Sequence, residues 1–66
     1  MKNTIKIERA INNLTQEELA NKVSVSRQTI NAMEANKYVP STVLALKIAK
    51  VFNKPVEQIF ILENND

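Results

Sequence analysis

Residues 16–33 contain two short helical segments that are separated by a turn of only three residues. Two helices joined in this way cross at roughly 90–120°, which requires a small residue at the crossing, apolar residues on both inner faces and a sharp turn. Ala20 supplies the small residue. The other requirements are met by Leu19, Val23, Val25, Ile30 and Met33 on the inner faces and by Ser24 and Ser26 in the turn. This pattern predicts a helix-turn-helix.

The two helices of this motif have well-defined starts. Thr15 and Glu18 form a capping box, in which each side chain accepts a hydrogen bond from the free backbone amide of the other residue. Ser26 is predicted to be the N-cap of the next helix, which runs from Arg27 to about Ala35. These two boundaries fix the register of the motif.

Three further helices are predicted around this motif, so the fold class is all-α and the chain of 66 residues forms a single domain, 1–66. Helix 1 spans about Thr4–Asn12, helix 4 runs from Ser41 to about Phe52, and helix 5 runs from Pro55 to Ile59 or Phe60. In helix 1 the spacing of the apolar residues predicts one buried stripe, made of Ile7, Ala10, Ile11 and Leu14. In helix 4 the residues predicted to face inward are Leu44, Ala45, Ile48, Ala49 and Phe52.

The C-terminal segment contains three consecutive apolar residues, Phe60, Ile61 and Leu62, which fit neither an amphipathic helix nor a solvated tail. We expect a short C-terminal strand or extended segment beside Met1–Asn3. Because such a run needs an apolar partner, it is also predicted to contribute to a homodimer interface together with the end of helix 5. The interface residues are predicted to be Ile59, Phe60, Ile61 and Leu62.

The composition argues against most catalytic functions. The chain has no histidine and no cysteine, so it lacks the usual general base, any thiolate nucleophile and the usual zinc ligands. Glu17 and Glu18 are adjacent on a helix, so their carboxylates diverge by about 100° and do not form an acid/base pair. We expect no enzyme activity, no metal, no cofactor and no small-molecule ligand. The polar N-terminus and the lack of a long apolar run predict a cytoplasmic protein without a membrane segment.

The charges are unevenly distributed, although the net charge is only +2. Residues 19–56 carry six basic side chains against one acidic side chain, a local charge of +5, and the residues from Glu57 onward are acidic. The six basic residues are Lys22, Arg27, Lys37, Lys47, Lys50 and Lys54. A basic centre of this kind favours a polyanionic partner such as nucleic acid, although a solvated face is the more common meaning of Lys47, Lys50 and Lys54.

The second helix of the motif separates two kinds of side chain. At about 100° per residue, Ile30 and Met33 face inward and Arg27, Gln28 and Asn31 face outward. Arginine can pair with guanine, and glutamine and asparagine with adenine, through two hydrogen bonds in the major groove. Ser26 and the first turn of this helix offer free amides to an anion. Thr29 lies between the two faces, so a DNA contact and no contact both remain open.

These residues together resemble the Cro/cI-type (Xre) helix-turn-helix regulators, in particular their short single-domain members. The resemblance covers nearly the whole chain, and its carriers are Thr15–Ala20, Val25–Asn31, Glu34, Lys37–Ser41, Ala45–Ala49 and Ile59–Phe60.

The resemblance implies a lambda-repressor-like five-helix bundle that binds double-stranded DNA as a homodimer, with helix 3 in the major groove of an inverted-repeat operator. It implies that Gln16 meets a phosphate and that Arg27, Gln28 and Asn31 face bases or phosphates. The stretch Asn36, Lys37 and Tyr38 is expected along the DNA backbone, and Arg9 and Glu34 are expected to form a structural ion pair. The function expected is sequence-specific transcriptional regulation, with repression favoured over activation; the alternative is an antitoxin or adaptor that acts through a protein partner.

The sequence also departs from the family pattern. Asn13, Ser24 and Asn36 stand where such proteins commonly carry glycine, and serine is the least suited of the three if the turn needs a positive φ. Glu8 occupies a position that is often leucine, which leaves the packing of helix 1 less defined.

Overall fold

The computed structural model describes all residues from Met1 to Asp66 and contains five helices and two short strands. In chain order these are β1 (Lys2–Asn3), α1 (Ile5–Ile11), α2 (Gln16–Val23), α3 (Arg27–Glu34), α4 (Thr42–Phe52), α5 (Val56–Ile59) and β2 (Phe60–Ile61). The predicted all-α bundle with a short C-terminal strand is confirmed. None of the five helices has both the length and the apolar character needed to cross a membrane.

Hydroxyl side chains start the three longer helices. Both halves of the predicted capping box are present, since the Thr15 amide donates to Glu18 Oε1 at 2.9 Å and the Glu18 amide donates to Thr15 Oγ1 at 3.0 Å. The hydrogen bond that the Glu18 carboxylate accepts from the Thr15 amide is the main reason that the pKa of Glu18 lies below its usual value. Ser26 and Ser41 cap α3 and α4 through a single hydrogen bond each, which their hydroxyls accept from the amides of Thr29 and Leu44. Helix α5 begins at Val56, one residue later than expected, so Pro55 is its N-cap rather than its first residue.

Four helices end with a residue in the left-handed region although the chain contains no glycine. Their φ values are 56° at Asn13, 61° at Ser24, 60° at Asn36 and 54° at Asn53. After each of these residues, the next backbone amide donates to the carbonyl five residues before it, which satisfies a free carbonyl at the helix end. The three expected glycine-like positions therefore need positive φ, and Asn53 is a fourth.

The core lies where the helix-turn-helix packs against α4, α5 and β2. It contains Ile5, Leu19, Ala20, Val23, Ile30, Met33, Leu44, Ile48, Ala49, Phe52, Ile59 and Phe60. Ala20 is 1% exposed, as its place at the crossing of α2 and α3 requires. The predicted inward face of α4 is confirmed, with Ala45 only partly buried.

The predicted buried stripe of α1 is wrong for Ile7, Ala10 and Ile11, which are exposed, whereas Leu14 is partly buried against the core. Ile7 is 61% exposed and Ile11 is 66% exposed, whereas the residues that α1 buries are Ile5 and Glu8. The rotation of α1 is set by polar partners on its inner side. Lys54 Nζ donates to Glu8 Oε2 at 2.7 Å, so this carboxylate is buried with a partner. Apolar periodicity alone could not show that a glutamate would face inward.

The two strands pair antiparallel, with Lys2 opposite Ile61 and Asn3 opposite Phe60, as expected for the C-terminal segment. This pairing turns Phe60 inward and Ile61 outward. The protomer itself buries Ile59 completely and Phe60 almost completely, because both belong to the core. Ile59 therefore offers no surface to a second copy, and of the four predicted interface residues only Ile61 and Leu62 remain well exposed.

Candidate nucleic-acid interface

Helix α3 presents a polar outer face that its buried face holds in place. Ile30 and Met33 are fully buried, which fixes the rotation of the helix. Arg27, Gln28 and Asn31 consequently point away from the core and are exposed. The three residues predicted to face bases or phosphates therefore share one face.

The first turn of α3 is ordered by two of its own hydroxyl groups. Ser26 Oγ accepts a hydrogen bond from the Thr29 amide at 3.2 Å, and the Ser26 and Thr29 hydroxyls lie 3.0 Å apart. Thr29 is half-buried, so it lies at the edge of the outer face. Ser26 is therefore the N-cap of α3, and the hydroxyls of Ser26 and Thr29 already have a hydrogen-bond partner within this turn.

Gln16 and Asn31, which are 15 residues apart, meet at the outer edge of the motif. Gln16 is the first residue of α2, and its Nε2 donates to Asn31 Oδ1 at 3.2 Å. The two side chains were predicted separately, one for a phosphate and one for a base. The structure places them in one hydrogen-bonded pair, which residue spacing alone does not indicate.

Glu34 connects this amide pair to α1. Arg9 donates from Nε to Glu34 Oε2 at 2.6 Å and from Nη2 to Glu34 Oε1 at 3.0 Å, which confirms the expected ion pair. Gln16 Nε2 donates to the same Oε1 at 3.3 Å. The hydrogen bonds with Glu34 raise the pKa of Arg9 above its usual value, against the effect of burial, so Arg9 stays charged.

The segment after α3 is anchored by a residue that the sequence analysis did not single out. Asn3 Nδ2 donates to the Met33 carbonyl at 2.7 Å and to Asn36 Oδ1 at 3.3 Å. Asn36 therefore ends α3 and binds β1, while Lys37 and Tyr38 are exposed beyond it. The Asn3 contacts join positions at least 30 residues apart, and nothing in the sequence pattern signals such a pairing.

Between Thr15 and Glu34 the chain forms a capped helix, a sharp left-handed turn and a second helix with an exposed polar face. The helix-turn-helix family model matches residues 5–59. The chain belongs to the Cro/cI-type (Xre) helix-turn-helix family. The members of this family are DNA-binding transcriptional regulators.

Curated relatives match this helix-turn-helix chain along its whole length. An HTH-type transcriptional regulator of Methanocaldococcus jannaschii is 58% identical over 66 residues, which is all of both chains. One of Archaeoglobus fulgidus is 52% identical over all of this chain and 93% of its own length. The regulator YgzD of Bacillus subtilis is 47% identical over all of both chains.

The basic side chains of this Cro/cI-type domain are largely free of carboxylate partners. Arg27 and Lys37, which flank the outer face of α3, form no ion pair within the chain. Lys22, Lys47 and Lys50 line an open cavity of about 600 Å³ beside the turn at Ser24. Lys54 differs, because it pairs with Glu8. The domain therefore combines exposed hydrogen-bonding side chains on α3 with positive charges that are not neutralised within the chain.

Proposed function

We propose that this protein is a sequence-specific regulator that binds double-stranded DNA with α3 in the major groove. The observation that carries the proposal is the outer face of α3, where Arg27, Gln28 and Asn31 are exposed while Ile30 and Met33 anchor the helix. A helix of this width fits the major groove of B-DNA. Its side chains match base edges there.

The residues around α3 are proposed to set its position on the DNA. Gln16 at the start of α2 and Lys37 and Tyr38 after α3 are exposed or half-exposed on either side of the outer face. Contacts from such residues to phosphates fix register without reading sequence. Ser26, Thr29 and Asn36 are proposed to contribute through their backbone or free hydrogen-bonding capacity, since each also has a structural hydrogen bond.

A homodimer is proposed on the side of the molecule formed by the link before α4, by α4 and by β2. An apolar cavity of about 500 Å³ opens there, and eight of its eleven lining residues are hydrophobic. The exposed members include Val39 (69%), Leu46 (54%), Ile61 (44%) and Leu62 (77%). A two-fold dimer would place two α3 helices about one DNA turn apart, roughly 34 Å, and would therefore bind an inverted repeat.

Repression is the proposed outcome of binding. A small dimer on its operator covers DNA that polymerase or another factor would need, and this requires no activity beyond binding. The proposed activity is therefore binding alone, without a catalytic step.

The experiment that tests this function is selection of bound duplexes from a random DNA pool at two salt concentrations. The wild-type protein is expected to select an inverted repeat with steeply salt-dependent affinity. Gln28→Ala is expected to relax the preference at one position in each half-site. Gln58→Ala, the same change at an exposed position of α5, is the matched control and leaves the motif intact. Recovery of no motif by the wild-type protein contradicts the proposal.

The second candidate function is an antitoxin or adaptor that binds a protein partner through the apolar cavity. The exposure of Leu62 favours a partner of some kind at this surface. Phe60 is unsuitable for the test because its substitution would disturb the core. If Leu62→Lys abolishes regulation in cells while Gln28→Ala and Asn31→Ala leave it unchanged, the adaptor function is supported instead.

A further inference from the structure

The hydrogen bonds between α1, α2 and α3 form a continuous series in which the donor and the acceptor of each bond are determined. The series starts at the charged Arg9, passes through Glu34 and Gln16, and ends at Asn31 on the outer face of α3. Glu34 is nearly buried, with 8% of its side chain exposed, and Arg9 is 15% exposed. The inner end of this series, the ion pair of Arg9 and Glu34, is therefore largely shielded from water.

The carboxylate at the inner end determines how the Gln16 amide is turned. An ionised carboxylate accepts hydrogen bonds and cannot donate them. The atom of Gln16 that faces Glu34 must therefore be the amino nitrogen, Nε2, rather than the carbonyl oxygen. The distance from Gln16 Nε2 to Glu34 Oε1 is 3.3 Å.

The orientation of Gln16 in turn determines that of Asn31. Gln16 Nε2 has two hydrogens; one is directed to Glu34 and the other to Asn31. Because a donor faces it, Asn31 must present its oxygen, Oδ1, to Gln16, at 3.2 Å. The Asn31 amino group, Nδ2, is then left free on the exposed side of α3.

We propose that Glu34 is a positioning residue for DNA recognition, which orients the Asn31 amide so that its Nδ2 donates to an acceptor on a base edge. The proposal rests on the proposed function, because it assumes that α3 enters the major groove. The acceptors there are N7 and O6 of guanine, N7 of adenine and O4 of thymine, whereas cytosine presents its N4 amino group as a donor. The base contacted by Asn31 is therefore any base except cytosine.

The proposal is tested by repeating the DNA selection with variants at the two ends of this series of hydrogen bonds, at Arg9 and Glu34 and at Asn31. In Glu34→Gln, the amide at position 34 can turn either of its faces to Gln16, so the discrimination against cytosine should fall by about tenfold at a single position of each half-site. Glu17→Gln is the matched control, because it removes the same charge from an exposed neighbour of Gln16 and should leave this discrimination unchanged.

A second variant separates positioning from folding. Arg9→Met combined with Glu34→Leu removes both charges and keeps the approximate volume, a replacement that folded proteins often tolerate. This variant is expected to fold, and thermal unfolding measures this. If Glu34 positions the amides, the folded variant loses the discrimination against cytosine. If Glu34 only supports the fold, the double variant selects the wild-type motif, and the proposal is overturned.

Asn31→Asp gives the converse result, because it replaces the donor with an acceptor. We expect the preferred base at the contacted position to change to cytosine, whose N4 amino group can donate to the carboxylate. Asn21→Asp, an equal change at an exposed position of α2, is the control. If Asn31→Asp selects the same base pair as the wild-type protein at every position, the inference is overturned and the proposed function is left intact, because a donor and an acceptor at residue 31 would then be equivalent. Failure of the wild-type protein to select any motif overturns both.

Discussion

Single residues with left-handed backbone conformations shape this domain. Asn13, Asn36 and Asn53 tolerate positive φ because the asparagine side chain can hydrogen-bond with the local backbone in this conformation, whereas serine is not favoured there. Ser24 has φ 61° and ψ 43°, and it forms the turn between α2 and α3. Of the four positive-φ positions, the one in the turn before α3 therefore has the highest cost in backbone conformation.

Replacement of Ser24 by glycine is expected to stabilise the protein. Glycine adopts the left-handed region without a Cβ clash, so Ser24→Gly should raise the free energy of unfolding by about 1 kcal/mol. Urea denaturation followed by circular dichroism measures this change. Ser41→Gly is the control, because Ser41 has φ −62° and caps α4, so its loss should lower stability by a few tenths of a kcal/mol. Equal effects of the two changes would count against backbone strain at Ser24.

Glu18 predicts how the stability of α2 depends on pH. Its pKa is lower in the folded protein than its ordinary value of 4.5, chiefly because it accepts a hydrogen bond from the Thr15 amide. The stabilisation is therefore complete above pH 4.5 and is lost as the pH falls through the folded-state pKa. Thermal unfolding at pH 6 and pH 3 should show a smaller loss of Tm for Glu18→Gln than for the wild-type protein, because glutamine also completes a capping box without titrating. A Tm difference between the two pH values that is the same in both proteins would show that Glu18 does not contribute.

At the scale of whole elements, local signals predicted the bounds of α1 to α4 well, but they did not predict which face of α1 is buried. The caps Thr15, Ser26 and Ser41 act within one turn of the backbone, so their effect can be inferred from the sequence. The rotation of α1 depends instead on contacts with distant residues. Glu8 pairs with a lysine 46 positions away, and this places a charged residue on the inner face. Apolar spacing could not show this.

The orientation of α1 is tested by one substitution at two positions. Ile5→Ala removes a fully buried side chain and should lower the free energy of unfolding by about 2–5 kcal/mol. Ile7→Ala makes the same change at a side chain that is 61% exposed, and should alter stability by no more than about 0.5 kcal/mol. Denaturant unfolding measures both. The reverse order of the two effects would restore the stripe predicted from the sequence.

The sequence could predict which side chains of α3 share an exposed face, but not the hydrogen bonds that connect them to other elements. Helical geometry alone placed Arg27, Gln28 and Asn31 on one face of α3, because only the position of the buried residues was needed. The hydrogen bonds of Gln16 with Asn31, and of Asn3 with Asn36, depend on how separate elements pack. Such contacts require the tertiary structure, and in this domain they determine the chemistry that Asn31 presents.

At the scale of the whole molecule, two exposed apolar surfaces are compared as sites for a second copy, and only one of them is proposed to bind it. The first is the cavity around Leu46, Ile61 and Leu62, and the second is the outer side of α1 with Ile7 and Ile11. The first surface is concave and is built from three separate segments, whereas the second is one side of a helix with seven residues. A concave apolar surface can bury more area against a partner, which favours the cavity.

Leu46→Glu and Ile11→Glu distinguish these surfaces, since each places a charge on a comparably exposed apolar position, 54% and 66% exposed. If the cavity forms the interface, Leu46→Glu is a monomer in sedimentation velocity and Ile11→Glu is a dimer like the wild-type protein. Loss of the dimer should also weaken operator binding far more than it weakens binding to one half-site, because two linked recognition helices gain affinity from their effective concentration. A dimer that persists in Leu46→Glu but is lost in Ile11→Glu would move the interface to α1. A dimer formed through α1 would hold the two α3 helices at a different distance from each other. The spacing between the half-sites of the selected operator should then match that distance.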